Sequence, residues 1–130
     1  MTKLQAINTM LLYINEAPVV QADIDEASPL QIIVLANSIL DENIRTYNAT
    51  LTLSVADISS VNILVQDYIV KRASKNLFTR VIGFEDKGLE VILIDEKQAM
   101  GNVARYVSES IFSTGYEYIL PFIYKINSII

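Results

Sequence analysis

The side chains in this chain that could do chemistry are carboxylates, lysines and arginines, because cysteine and histidine are both absent. That composition excludes disulfides, thiolate or imidazole metal sites, and any Ser-His or Cys-His catalytic pair. Three carboxylates, Glu90, Asp95 and Glu96, fall on one predicted helix and could be considered as acid-base groups. An exposed helix face explains them better. We therefore expect no enzymatic activity and no cofactor.

A single basic cluster is made up of Lys71, Arg72, Lys75 and Arg80. It could contact DNA phosphates, pair with carboxylates of an adjacent subunit, or form a solvated helix face. The formal net charge of −5 argues against a dedicated nucleic-acid-binding protein, which normally presents a basic surface.

An acidic cluster, Asp23, Asp25 and Glu26, lies in a predicted extended linker over residues 19–27. A cation site would need more oxygen ligands than this linker supplies. A solvated loop is the favoured interpretation.

These residues belong to a chain of 130 residues, of which 52% are apolar, enough for one domain with a core. No run approaches the roughly 20 apolar residues of a membrane helix. The first helix is predicted over residues 2–16, capped by Thr2 and ended by Pro18. Lys3 before an apolar stretch resembles a signal peptide, but polar residues at helical spacing favour a cytoplasmic helix.

Ser28 followed by Pro29 predicts the start of a second helix that runs to about residue 47. Its predicted buried side comprises Leu30, Ile33, Val34, Leu40, Ile44 and Tyr47. The period then changes from helical to alternating, which predicts a short extended or β segment near residues 48–58. Asp57, Ser59 or Ser60 is expected to cap the next helix.

Residues 60–83, SVNILVQDYIVKRASKNLFTRVIG, are predicted to form a central helix with two apolar stripes. A surface helix needs only one such stripe. The second stripe is buried either in the chain's own core or against a neighbouring subunit. Tyr68, Ile69, Leu77 and Phe78 are predicted to anchor the packing and, with the basic cluster, to form a subunit interface.

A fourth helix is predicted over residues 89–113. Gly101 lies inside it, which indicates a close helix crossing or a break. Residues 116–130, YEYILPFIYKINSII, are predicted to be an apolar C-terminal arm. The arm could fold back on its own helices or dock on a partner, and docking is favoured. Its predicted anchors are Ile119, Leu120, Phe122, Ile123 and Tyr124.

The expected fold is thus a mainly α bundle of about four helices, with a helical domain over residues 1–115 and a docking arm over residues 116–130. Three segments in order resemble the tail tubular protein A family, the head-to-tail adaptors of short-tailed bacteriophages. The first is residues 6–19, AINTMLLYINEAPV, where Asn15 replaces the family's glycine. The second is residues 36–48, ANSILDENIRTYN, although the family's Gly-Trp-x-Phe signature does not follow it.

The third segment is residues 67–74, DYIVKRAS, with Phe78, Arg80 and Gly83, followed by residues 96–99, EKQA. The resemblance implies a virion protein, assembled in the host cytoplasm, that forms a twelve-fold ring between the portal and the tail nozzle or tube. Double-stranded DNA would pass through this ring without specific binding. The alternative hypothesis is a small helical regulator or interaction adaptor that works as a dimer of about 29 kDa, twice the chain mass.

Overall fold

The computed structural model describes residues 1–51 and 62–114, and the side chains of residues 1–46 and 62–106. This part of the chain contains five α-helices and no strand. They are α1 (Lys3–Tyr13), α2 (Gln21–Asp25), α3 (Gln31–Leu51), α4 (Ile63–Val81) and α5 (Gly88–Thr114). The predicted mainly α-helical fold is confirmed. Within the described ranges, no helix combines the length and apolar content needed to cross a membrane.

The central helix, α4, packs against α1, α3 and α5. Its side chains are buried around most of its circumference. The largest of them are Val65, Tyr68, Ile69, Val70, Leu77 and Phe78. Most of both apolar stripes is therefore covered by helices of the same chain, because three helices surround α4, whereas Ile63 and Val81 at the two ends of the helix are exposed.

The two ends of α4 are set by local chemistry. Asn62 caps the first turn, since its side-chain oxygen accepts a hydrogen bond from the Leu64 N–H at 2.9 Å. The predicted caps Asp57, Ser59 and Ser60 lie outside the described residues. At the other end Gly83 has a φ of +114°, a conformation that side chains with a Cβ disfavour.

α1 begins at the predicted cap. The Thr2 hydroxyl accepts from the Gln5 N–H, and the Gln5 side chain accepts from the Thr2 N–H. The helix ends three residues earlier than predicted, with Asn15 left-handed at φ +59°. The Asn15 and Glu16 N–H groups donate to the Leu12 and Leu11 carbonyls, which is the Schellman pattern of C-terminal capping.

The segment between α1 and α3 departs from the predicted extended linker, because residues 21–25 form the short helix α2. Asp23 stabilises its start by accepting from the Val20 N–H at 2.9 Å. The Asn8 side-chain amide fastens the preceding turn to α1. It donates to the Val19 carbonyl and accepts from the Val19 N–H.

α3 begins at Gln31, two residues later than the predicted Pro29, and continues to Leu51. Residues 48–51 of the predicted extended segment are therefore helical, and residues 52–58 lie outside the described residues. Ile33, Leu40 and Ile44 are buried as predicted, whereas Leu30 and Val34 are exposed. The core side of α3 is centred on Ala36 and Leu40, which turns positions 30 and 34 away from it.

α5 is continuous through Gly101, so the predicted break is absent. A Cβ built at Gly101 meets no atom within 4 Å, so the helix makes no close crossing with the described residues at this point. The inner side of α5 carries Ile92, Ala99 and Val103 in the core.

Candidate functional site

The sequence-predicted basic cluster lies along the contact between α4 and α5, the most extensive contact between two helices of the fold. The helices run antiparallel. Phe78 of α4 lies beside Gly88 of α5, Lys75 contacts Glu96, and Asp67 shares a pocket with Asn102. Residue numbers therefore fall along one helix as they rise along the other.

Glu96 is the central acidic group of this contact and is almost fully buried. Its carboxylate oxygen lies 2.9 Å from the Lys75 ammonium and 3.7 Å from the Arg72 guanidinium. The predicted exposed face is therefore wrong for Glu96, and Asp95 is only half-exposed, whereas Glu90 is exposed as expected. A buried carboxylate needs such partners, because desolvation without them disfavours its charge.

A second polar group, next to the first, joins α1 to the same contact. The Tyr13 hydroxyl donates to the Asp95 carboxylate at 2.5 Å. The Lys71 ammonium lies 5.6 Å from the centre of the Tyr13 ring and 3.6 Å from the Asp67 carboxylate. Lys71 thus combines a cation–π contact with an ion pair.

Two tyrosine hydroxyls at this contact have raised pKa values. For Tyr13 the main cause is desolvation by burial, and the Asp95 and Asp67 carboxylates add to it because they disfavour a phenolate. For Tyr68 burial also raises the pKa, while the positive charge of Arg72 opposes that shift. Both hydroxyls therefore keep their protons above the pH at which an ordinary tyrosine ionises.

An open pocket of about 300 Å³ lies over this second group. It is lined by Asp67, Lys71, Asp95, Gln98, Ala99 and Asn102. Its carboxylates and amides can exchange hydrogen bonds with a polar segment of another molecule. In the described ranges no group of three or more metal-ligating side chains is arranged to hold a metal ion.

The structure separates the predicted interface residues into three groups. Tyr68, Ile69, Leu77 and Phe78 lie in the chain's own core with at most 2% of their surface exposed, so their side chains offer a partner no surface. Lys71, Arg72 and Lys75 are partly exposed and ion-paired. Arg80 is exposed and has no carboxylate within ion-pair distance among the described residues. The arm anchors, Ile119, Leu120, Phe122, Ile123 and Tyr124, lie outside the described residues.

Sequence reasoning missed Tyr13, Asp67 and Asn102 as parts of this site. Tyr13 was the hardest to find, because it lies 82 positions from Asp95 in the chain. Asp67 could have been found, since it lies four residues before Lys71, a spacing that places two side chains together on a helix. Asn102 likewise lies four residues from Gln98, another residue of the pocket.

The fold and the site together define an all-α bundle whose helices α4 and α5 meet in a polar, ion-paired contact. Comparison of the chain with protein-family models, with curated proteins and with solved structures finds no match in any of the three.

Proposed function

We propose that this protein is a structural subunit of a phage head-to-tail connector, without catalytic activity. In the virion it forms an oligomeric ring between the portal protein and the tail nozzle or tube. The ring lines the channel through which double-stranded DNA leaves. Its work is mechanical: it oligomerises, seals the portal exit and presents a surface for tail assembly.

One observation carries the proposal: the two parts of the third resembling segment meet at one place in the fold. Residues 67–74 lie on α4 and residues 96–99 lie on α5. Glu96 of the second part pairs with Arg72 of the first, and Ala99 lines the same pocket as Asp67 and Lys71.

The backbone at Asn15 gives further support. The family carries glycine where this chain has Asn15, and Asn15 adopts a left-handed conformation here. Glycine adopts that conformation most easily and asparagine is the usual alternative. The replacement therefore keeps the same way of ending α1.

The state of the basic cluster suits a channel that lets DNA slide. Lys71, Arg72 and Lys75 are paired with carboxylates of their own chain, and the whole chain carries a net charge of −5. Within this cluster Arg80 alone has no carboxylate at ion-pair distance among the described residues, and so binding of phosphates by the cluster that depends on counterion release is weak.

The proposal is tested by the mass of the native assembly, measured by light scattering and negative-stain electron microscopy, with and without the portal protein. A ring of twelve 14.6 kDa chains has a mass of about 175 kDa. Rings alone or on the portal support the connector. A dimer of about 29 kDa that ignores the portal supports the alternative, a small dimeric regulator or adaptor, and overturns the proposal.

A matched pair of variants tests the DNA argument. Glu96→Gln removes the carboxylate shared by Arg72 and Lys75, whereas Glu90→Gln removes an exposed carboxylate of the same helix. We expect only the first to increase salt-dependent binding to double-stranded DNA at low ionic strength, measured by fluorescence anisotropy. Equal DNA binding by both variants would show that pairing within the chain does not control contact with DNA.

A further inference from the structure

Among the described side chains, the exposed large apolar residues are concentrated at one end of the bundle. The described residues include eleven large apolar side chains that are exposed, and six of these fall between residues 81 and 94. They are Val81, Ile82, Phe84, Val91, Leu93 and Ile94, here called the hairpin patch. All six lie at the same end of the helix pair, because α4 and α5 are antiparallel and residues 82–87 join them. On α5, Val91 and Leu93 flank the buried Ile92 on its two sides.

The hairpin patch has the features of a docking surface. Phe84 is 77% exposed, the most of any large apolar side chain described, and with Ile82 it lines an open pocket of about 560 Å³. Exposed apolar groups gathered in this way favour contact with another surface. The exposed charged side chains of residues 80–90 are Arg80, Glu85, Asp86, Lys87 and Glu90, so the patch is bordered by a net charge of −1.

We infer that the hairpin patch of one copy is covered by the C-terminal arm of a second copy. The arm, residues 116–130, is rich in tyrosine, isoleucine, leucine and phenylalanine, and it follows α5 at the end of that helix remote from the patch. Lys125 comes directly after the anchors and complements the net negative charge that borders the patch. This inference deepens the proposed function, since it names the surface that joins neighbours in the ring.

The length of the chain favours a second copy over the arm's own chain. The 20 residues of helix between Ile94 and Thr114 span about 30 Å. An extended chain advances at most about 3.6 Å per residue. Phe122, eight residues beyond Thr114, therefore reaches at most about 29 Å, and the earlier anchors Ile119 and Leu120 reach less.

Gly88, at the start of α5, lies about 39 Å from Thr114, whereas Ile123 and Tyr124 reach at most about 32 Å and 36 Å. Within their own chain these two anchors reach Ile94 only when the arm is fully extended along α5, and the backbone of Ile119, Leu120 and Phe122 falls short of it. Along α5 itself, residues 95–106 have no exposed large apolar side chain, and at the start of α4, beside this end of α5, Ile63 is exposed. The nearer described surface of these two helices therefore offers the arm fewer apolar side chains than the hairpin patch.

A contact between the arm of one copy and the patch of the next is heterologous, and repeated heterologous contacts close into rings when the rotation between copies allows. It also makes a specific prediction for mixtures. A chain with a damaged patch keeps its arm, and a chain with a damaged arm keeps its patch. Together they form one contact and no more.

The experiment uses the full chain with Phe84→Asp in the patch, Phe122→Asp in the arm, and Leu12→Asp as the control. Leu12 is 71% exposed and lies on α1, outside the patch. Helical content measured by circular dichroism establishes that each variant is folded. We expect both Phe84→Asp and Phe122→Asp to weaken self-association at least about 30-fold, as a central anchor does, while Leu12→Asp assembles like the parent.

Mixing the two impaired variants should then give a single species of about 29 kDa, twice the chain mass, in light scattering. A mixture that remains monomeric would overturn the inference. So would assembly of either variant alone at the protein concentration at which the parent assembles. If the parent forms rings and both variants form them equally well, the arm contact is wrong and the connector proposal stands. If the parent remains a monomer alone and with the portal, both are wrong.

Crosslinking gives an independent readout, because the chain has no cysteine of its own. A chain with Ile94→Cys mixed with a chain with Phe122→Cys should form an intermolecular disulfide under mild oxidation. A mixture of Leu12→Cys and Phe122→Cys is the matched control. Equal yields in the two mixtures would contradict docking on the patch, and so would a disulfide formed mainly within one chain carrying both Ile94→Cys and Phe122→Cys.

Discussion

Glu96→Gln is the substitution whose effect on stability follows most directly from the α4–α5 contact. Glutamine keeps the shape of the side chain and removes its charge. It leaves Lys75, 2.9 Å away, and Arg72, 3.7 Å away, without their shared counter-charge. The Glu96 side chain is only 11% exposed, and the two basic side chains are about a quarter exposed, so water compensates for the loss incompletely.

The expected loss is about 2 kcal/mol of unfolding free energy. Two unit charges 4 Å apart attract by roughly 4 kcal/mol at the effective dielectric constant of a protein surface. Much of that gain is offset by desolvation. A hydrogen bond to a charged group contributes a net value of about 1.5–3 kcal/mol. For a chain of this length we expect the melting temperature to fall by about 6–10 °C.

The assay is urea unfolding followed by circular dichroism, and the matched control is Asp41→Asn. Asp41 pairs with Lys3 at 2.8 Å, but both side chains are about 40% exposed. We expect this surface pair to contribute less than about 0.5 kcal/mol and to weaken further in high salt. If Glu96→Gln and Asp41→Asn lower the free energy equally, burial does not strengthen the Glu96 pairs and our reasoning is wrong.

Four further predictions concern the core, the backbone, the pH dependence and the arm. Leu77→Ala should lower stability by about 2–5 kcal/mol in urea unfolding, because it opens a cavity at a fully buried position. Gly101→Ala should raise the melting temperature, gaining about 1 kcal/mol at an exposed, uncrowded helix position. Gly83→Ala should lower the melting temperature, because Gly83 has a positive φ. A lower melting temperature for Gly101→Ala or a higher one for Gly83→Ala would contradict these backbone conformations. Tyr13 has a raised pKa in the folded chain, so it contributes stability below about pH 10 that is lost as the pH rises further. Tyr13→Phe should reduce this loss of stability at high pH. An unchanged slope of stability against pH in the variant would count against the raised pKa. Deleting residues 116–130 should leave a folded helical protein that no longer joins its partner, and loss of helical circular dichroism would instead place the arm in the core.

Much of the helical architecture could be predicted from periodicity and capping. Thr2 begins α1 as expected, α4 lies inside the predicted residues 60–83, and α5 extends the predicted helix by one residue at each end. These signals are local, because a cap or an apolar stripe depends on residues within a few turns. The short helix α2 escaped prediction because five residues give too little periodicity to distinguish a helix from a loop.

The candidate site was less predictable. The basic residues of α4 were found from the sequence, but three possible partners remained open for them. In the structure their partners are Asp67 in the same helix and Glu96 in α5. Glu96 lies 21 positions from Lys75, and no local pattern relates residues so far apart.

By itself, the sequence determined that this protein is helical, that its central helix carries apolar residues on two sides, and that thiol and imidazole chemistry are excluded. These properties follow from residue types and from spacings shorter than two helical turns. Only the tertiary structure decided that α1, α3 and α5 cover both sides of α4, that Glu96 is buried between two cations, and that the exposed apolar residues gather at the turn between α4 and α5. Each of these depends on how separate helices pack, because periodicity fixes which side of a helix is apolar but not which surface covers it.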